Sequence, residues 1–99
     1  MSRALYLLAV QGFNFVSSER FSLLRLCVVA EADPGSLARV LQPFQNLNVL
    51  PRKVVAELGI SGYVHIEVYI GEVSPETMTL IAAKLRSATC VENAYWNPA

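Results

Sequence analysis

The sequence predicts an α+β domain whose elements follow the order β-α-β-β-α-β. Two stretches place Asp or Ser directly before Pro, the usual start of a helix, and apolar residues at helical spacing follow each. Between them, residues 63–70 alternate strictly between two side-chain faces, which indicates a strand. Gly59-Ile60-Ser61-Gly62 precedes that strand and has turn chemistry, so it predicts a hairpin.

The first strand is predicted over Leu23–Glu31, and it is apolar on both faces except for Arg25 and Glu31. Such a run is typical of a central strand. A helix should follow from Gly35, because Asp33 can cap its first N–H groups and Pro34 suits its first position. One helical face collects Leu37, Val40, Leu41 and Phe44.

Pro43 predicts a disturbance of this first helix. It cannot donate to the carbonyl of Arg39, and its ring crowds the same turn. We therefore expect a kink near residues 39–42 or an early end. Asn46 is the expected left-handed cap, since Asn is the usual second choice after Gly.

The second strand is predicted over Val49–Leu58, and Pro51 within it indicates a sheet edge because proline lacks a ladder donor. In the third strand one face is apolar and predicted to be core. The opposite face carries Tyr63, His65, Glu67 and Tyr69.

The second helix should begin at Ser74-Pro75-Glu76, with Lys84 and Arg86 in its last turn where cations are favoured. Its predicted buried stripe is Met78, Ile81, Ala82 and Leu85. Residues 90–96 complete the chain as a final strand. This order is the ferredoxin-like arrangement, in which a four-stranded antiparallel sheet carries two helices on one face. The other face is left for the N-terminal segment or for a second subunit, where aromatic residues are enriched.

Composition limits the classes of function. Of the 99 residues 54% are hydrophobic and 16% charged, against about 25% charged in an average chain. The apolar excess predicts an oligomer or a partner. Zero net charge argues against general electrostatic binding to nucleic acid or anionic membranes. Cys27 and Cys90 lack metal-ligand spacing and are expected to be free thiols in a reducing compartment, the cytoplasm.

Residues 1–21 are predicted to form an extension and residues 22–99 the domain. The apolar run from Ala4 to Val10 follows Arg3, yet it is short and no cleavage pattern follows before Ser17-Ser18. An extra strand or helix packed on the domain is the expectation, with a signal sequence or an over-extended start as the alternatives.

Catalysis, metal binding and RNA binding are all disfavoured, and no cofactor is expected. His65 has only Glu67 nearby as a possible co-ligand, and no nucleophile–base pair is readable. An RNA-recognition module stacks bases on aromatic residues of strands one and three, but strand one offers Leu24-Arg25-Leu26. An acylphosphatase would need an arginine in the first loop, where this chain has Asp33.

The sequence resembles the ACT domain family over roughly residues 23–96. The resemblance rests on the first strand running into Asp33-Pro34-Gly35-Ser36-Leu37-Ala38-Arg39-Val40, on Asn46-Leu47-Asn48-Val49, on His65-Ile66-Glu67-Val68 and on the Ser74-Pro75 helix start. It implies a small regulatory domain without catalytic activity, which pairs and binds an amino acid or similar carboxylate at the pairing interface. Stand-alone members and the regulatory small subunits of acetohydroxyacid synthase are the two versions that a lone domain resembles.

The resemblance implies a ligand site that joins the loop before the first helix to the facing second strand. Backbone N–H groups at a helix start favour a carboxylate, and Gly35 allows close approach. The candidate residues are Ala32, Asp33, Gly35, Ser36, Leu37, Leu50 and Arg52. Ligand-binding members often carry Asn or Asp where this chain has Ala32, which keeps open a subunit that activates a catalytic partner without a ligand of its own.

Overall fold

A computed structural model describes residues 23–99 as four strands and two helices in the predicted order. The elements are β1 (Leu24–Glu31), α1 (Pro34–Asn46), β2 (Lys53–Leu58), β3 (Tyr63–Ile70), α2 (Pro75–Arg86) and β4 (Val91–Pro98). The predictions made for residues 1–21 lie outside the described residues.

The four strands form one antiparallel sheet in the order β2-β3-β1-β4, so the ferredoxin-like prediction is confirmed. β1 is central: Leu26 lies opposite Val68 on one side and Trp96 on the other. β2 is an edge strand, as Pro51 predicted, although the strand begins at Lys53 and Pro51 precedes it. β4 likewise begins and ends later than residues 90–96, at Val91 and Pro98.

The core lies between the helices and one face of the sheet. Alternate residues of β1 and β3 meet the predicted stripes of the two helices there. The fully buried large side chains are Phe44, Leu26, Ile66, Ile70, Met78, Val28, Val40 and Val68. Each such side chain contributes about 1.5–3 kcal/mol relative to remaining exposed, which is why the strict alternation in β3 fixes its orientation.

Both helix starts behave as their sequences predict. Asp33 is extended, with φ −145° and ψ 138°, and its carboxylate accepts from the N–H of Gly35. Ser74 caps α2, because its hydroxyl accepts from the N–H of Thr77 over 3.1 Å. Proline occupies the first turn of each helix, where a missing N–H carries no penalty.

The expectation of an early end at Pro43 is wrong, because α1 continues through it to Asn46. The prediction of Asn46 as the left-handed cap is also wrong: Asn48 takes that conformation, with φ 58°. Asn48 donates to the carbonyl of Gln45 over 3.0 Å, and Val49 donates to that of Phe44 over 2.9 Å.

This pair of bonds is a Schellman termination, which satisfies carbonyls left free at the helix end. Val49 packs against the core cluster that contains Phe44, as such endings usually require. Burial of Phe44 and Val49, together with the two bonds of the Schellman termination, offsets the hydrogen bond that Pro43 removes.

Within residues 23–99 no helix is long and apolar enough to cross a bilayer.

Candidate functional site

A pocket of about 290 Å³ opens between the start of α1 and the edge strand β2. Its lining is almost entirely apolar and combines the loop after β1, the first turn of α1 and one side of the hairpin. The lining residues are Ala32, Asp33, Pro34, Leu37, Ala56, Leu58 and Val64.

The pocket exists because the two helices do not cover β2. Val54, Ala56 and Leu58 lie opposite Val68, Ile66 and Val64, the core-facing residues of β3. They therefore share the helix-bearing face of the sheet. The side chain of Leu58 is nevertheless 75% exposed, and Ala56 is too small to fill the space beside Leu37.

Asp33 accepts hydrogen bonds from two backbone N–H groups at the start of α1. Its Oδ2 accepts from the N–H of Gly35 over 2.8 Å, and its backbone carbonyl accepts from the N–H of Ser36 over 2.9 Å. A Cβ at position 35 would lie 2.8 Å from the same Oδ2, so any other residue there would make the Asp33 carboxylate shift. A free carboxylate would have to displace Asp33 from Gly35, whereas the charge of Asp33 favours a cation at the mouth of the pocket.

The rim of the pocket is held together by backbone hydrogen bonds. Ala32 donates to the carbonyl of Gly62 over 3.1 Å, which ties the loop after β1 to the β2–β3 turn. Gly59 donates to the carbonyl of Tyr63 over 2.8 Å and closes the predicted hairpin. Gly62 has φ 86°, a conformation that favours glycine. The loop and the turn therefore form one structural unit.

The predicted ligand residues separate into two groups within one chain. Ala32, Asp33 and Leu37 line the pocket, and Gly35 lies next to it in the cap. Leu50 and Arg52 lie just before the opposite end of β2, where the N–H of Arg52 donates to the carbonyl of Tyr69 over 2.7 Å.

The Arg52 guanidinium lies against Gly71, since a Cβ at Gly71 would be 3.1 Å from its Nη2. About six residues of strand separate Arg52 from Leu58, which is roughly 20 Å. A single chain therefore does not bring Arg52 to the pocket.

Ser36 has a different environment from the other predicted residues. Its side chain is only 2% exposed, and its Oγ has no hydrogen-bond partner among residues 23–99. It shares the buried face of α1 with Val40 and Phe44. Ser36 is consequently a core position of the helix.

Ala56, Leu58 and Val64 are pocket residues that sequence reasoning did not identify. The signal was present, because the core face of β3 was readable and an antiparallel hairpin places alternate residues of its partner strand on the same face. What was missing was the register, which fixes which residues of β2 are opposite Val64 and Ile66.

The two sheet edges differ in how their backbone groups are used. Alternate residues of β2 form backbone hydrogen bonds to β3, and the bond from Gly59 to Tyr63 fixes which residues these are. Val54, Ala56 and Leu58 are the residues in between, so their N–H and C=O groups point away from β3. Nothing in residues 23–99 covers this edge, as the sheet order shows. β2 therefore has free backbone groups for another strand.

In β4 one of the matching outward positions, Ala94, has both of its backbone groups in use. Ala94 donates its N–H to Oδ1 of Asn93 over 2.9 Å, and its carbonyl accepts from Nη1 of Arg86 over 2.8 Å. Pro98, further along the same edge, has no N–H to offer. The β4 edge is thus less available for strand addition than the β2 edge.

The open face of the sheet carries a small polar network. Tyr69 donates to Oε1 of Glu67 over 2.9 Å, and Arg25 Nη1 lies 3.7 Å from Glu67 Oε2. Arg25 also donates to Oδ1 of Asn97 over 3.3 Å. Hydrogen bonding with Tyr69, assisted by nearby negative groups, raises the pKa of Arg25 above its usual value. His65 is exposed on this face, and residues 23–99 contain no cluster of side chains suited to a metal ion.

A family model described as an ACT-like domain matches residues 17–99. A search of curated proteins gives no match. Solved structures, by contrast, match with confidence across most of the chain.

The ACT domain of a GTP pyrophosphokinase from Chlorobium tepidum is 17% identical. That alignment covers 78% of this chain and 99% of that one, with a TM-score of 0.63. The C-terminal domain of the MgtC protein from Mycobacterium tuberculosis is 12% identical, covers 80% and 88% of the two chains, and has a TM-score of 0.64. The regulatory subunit of aspartate kinase from Thermus flavus is 11% identical with a TM-score of 0.58, and the alignment covers 79% of this chain but 52% of that chain.

Proposed function

The chain belongs to the ACT-like domain family, and we propose that it acts as a regulatory domain which pairs through β2 and binds an amino acid in the pocket beside α1. Domains of this family are typically regulatory and bind small molecules. The observation that supports this function best is an apolar pocket of about 290 Å³ next to an unprotected strand edge.

The ligand proposed for this pocket is an amino acid with an apolar side chain. Pro34, Leu37 and Val64 would contact that side chain. The ammonium group would lie at the carboxylate of Asp33, which keeps its bond to Gly35 and still has a free oxygen for a second partner. In this orientation the carboxylate of the ligand needs a cationic partner. A single chain places no cationic side chain from residues 23–99 at the pocket.

Pairing of two chains would supply that cation. If the β2 strands of two copies pair antiparallel about Ala56, Leu58 of one copy lies opposite the partner's Val54. The partner's Arg52 then lies about 7 Å further along the strand, within reach of the pocket mouth. The two groups of predicted site residues, which one chain separates, would thus form one site in the dimer.

Regulation would follow from the position of the ligand between two copies. An amino acid that contacts both would favour one relative arrangement, and a partner enzyme would respond to that arrangement. Such coupling is typically worth 1–3 kcal/mol. Cys27 and Cys90 are free thiols in the structure, in keeping with a role in the reducing cytoplasm.

A second candidate is a regulatory small subunit that activates a catalytic enzyme, such as acetohydroxyacid synthase, without its own ligand. Two observations favour it. Ala32 supplies no polar side chain to the pocket, and Asp33 already occupies the N–H of Gly35. Two results together would support this alternative. The chain would co-purify with a large catalytic subunit, and calorimetric titration with amino acids would detect no binding.

Calorimetric titration with amino acids tests the first candidate. Leucine, isoleucine and valine are expected to bind more tightly than alanine, glutamate or lysine. Removing the ammonium or the carboxylate from the ligand should abolish binding, because each group has its own charged partner.

Arg52→Leu should weaken amino-acid binding about tenfold or more, as expected when a hydrogen-bonded charge loses its partner. Arg39→Leu is the matched control, since Arg39 is also exposed but lies on the outer side of α1. If no amino acid binds below the millimolar range, this function is wrong. If binding occurs and Arg52→Leu has no effect, the assignment of the carboxylate is wrong.

A further inference from the structure

A groove runs between the outward-facing sides of α1 and α2, on the side of the helices away from the sheet. Two adjoining cavities of about 240 and 210 Å³ form it, and they share Pro43, Asn46 and Lys84. The helices are antiparallel because they follow the antiparallel neighbours β1 and β3. The groove therefore has one end near the C-terminus of α2 and the other near the C-terminus of α1.

The first end is cationic. Arg39 and Lys84 line the same cavity together with Gln42 and Ser87, and no acidic residue takes part in the lining. Among residues 23–99 the one ion pair joins Arg25 and Glu67, on the opposite side of the molecule. Two like charges in one cavity, without a counter-charge from the described residues, create a local preference for an anionic group.

Pro43 adds a backbone acceptor to the cationic end. Because proline has no N–H, the carbonyl of Arg39 lacks the donor that would normally bond it in the helix. Arg39 and Pro43 both line the cavity.

The second end is apolar. Leu47, Leu80 and Ile81 line its cavity, with Thr77 at the margin. Leu80 is 71% exposed and Leu47 is 47% exposed, although both are large aliphatic side chains. Each would gain about 25 cal/mol for every Å² of apolar surface that a partner covers.

We propose that this groove docks an amphipathic helix of a partner protein. Apolar residues of that helix would contact Leu47 and Leu80, and an acidic residue about two turns away would pair with Arg39 and Lys84. The groove extends from Thr77 to Ser87, about 15 Å at 1.5 Å per residue, which matches about three turns of a bound helix. The site is separate from the pocket beside β2 and does not depend on a ligand there.

The test uses a synthetic peptide constrained to be helical by a lactam bridge, with two leucines and one glutamate spaced on one face to match the groove. Its binding to the full chain is measured by fluorescence anisotropy at low and high salt. Binding should weaken with salt, and a matched peptide with lysine in place of glutamate should bind at least about fivefold less tightly.

Variants of the chain locate the contact. Lys84→Glu should weaken binding of the glutamate peptide at least about fivefold and should restore binding of the lysine peptide. Leu80→Ser should weaken both peptides. Lys53→Glu, the same charge reversal on the open face of the sheet and outside the groove, is the control and should have no effect on either peptide.

Three outcomes would overturn the proposal. The first is that the glutamate and lysine peptides bind equally, or that neither binds. The second is that octanoate, a free carboxylate with an apolar chain, binds as tightly as the peptide, because the groove would then be a small-molecule site. The third is that Lys84→Glu abolishes self-association of the chain, because a second copy would then be the occupant.

Discussion

Arg86 donates from Nη1 to the carbonyl oxygen of Ala94 over 2.8 Å and so occupies an outward backbone acceptor at one edge of the sheet. Arg86 is in the last turn of α2 and Ala94 is in the middle of β4, so the bond joins the end of the helix to the outer strand. The opposite edge, β2, has no such protection in residues 23–99. The asymmetry is the reason that the proposed pairing uses β2 and not β4.

Arg86→Met should expose the β4 edge while keeping the apolar part of the side chain. We expect a loss of about 1–2 kcal/mol in the free energy of unfolding, because a charge-assisted bond to a partly buried carbonyl is removed. Urea denaturation measures this loss. Lys84→Met in the same turn is the control and should change stability by no more than about 0.5 kcal/mol. Equal effects of the two substitutions would contradict the role given to Arg86.

Ser36→Ala should stabilise the chain. The Ser36 hydroxyl is buried without a partner among the described residues, and alanine has the higher helix propensity. An increase of about 0.5–1 kcal/mol in the free energy of unfolding is expected.

Ser87→Ala is the matched comparison for Ser36→Ala, and we expect it to lower the free energy of unfolding instead of raising it. The Ser87 hydroxyl donates to the carbonyl of Lys84 over 2.6 Å at the end of α2, so its removal should destabilise the chain by a few tenths of a kcal/mol to about 1 kcal/mol. A loss of stability in Ser36→Ala would mean that the hydroxyl has a partner, such as a buried water.

Val54→Lys tests pairing through β2. Lysine on a free strand edge is a common obstacle to pairing with another strand, and it would replace the apolar side chain that the proposed pairing places opposite the partner's Leu58. Sedimentation should show a shift from dimer to monomer without loss of the folded state. Leu80→Lys introduces the same charge at an exposed apolar position of α2 and should leave the dimer intact. Retention of the dimer in Val54→Lys would exclude β2 as the interface.

Tyr95 should ionise later than an ordinary tyrosine. Hydrogen bonding and electrostatic interaction with the Cys27 thiol raise the pKa of Tyr95 above its usual value of 10.0. A raised pKa means that the fold favours the neutral phenol. The contribution of Tyr95 to stability is therefore fully present below pH 10.0 and is lost as the pH rises through the folded-state pKa.

Ultraviolet titration of tyrosinate absorbance, with Tyr95→Phe to assign the signal, measures this pKa. Cys27→Ala should lower the pKa of Tyr95 toward the usual value, and Cys90→Ala should not change it, because Cys27 is the residue opposite Tyr95 in the sheet. A pKa of Tyr95 that is the same in the wild type and in Cys27→Ala would contradict this coupling.

The sequence alone determined the order of the elements, the two helix starts and the core face of β3. These features follow from interactions between near neighbours. A cap such as Asp33 bonds a residue two positions away, and alternation in residues 63–70 needs no knowledge of the partner strand. The edge position of β2 was also predicted, from Pro51, although the structure places this proline two residues before the strand.

Only the tertiary structure decided how far α1 extends and what the site contains. Burial of Phe44 and the bonds around Asn48 carry α1 past Pro43, and both depend on packing against the sheet. The register between β2 and β3 placed Ala56 and Leu58 beside the start of α1 and left Arg52 at the far end of the strand. These outcomes depend on contacts between residues distant in sequence, and the spacing of residues along one chain does not encode them directly.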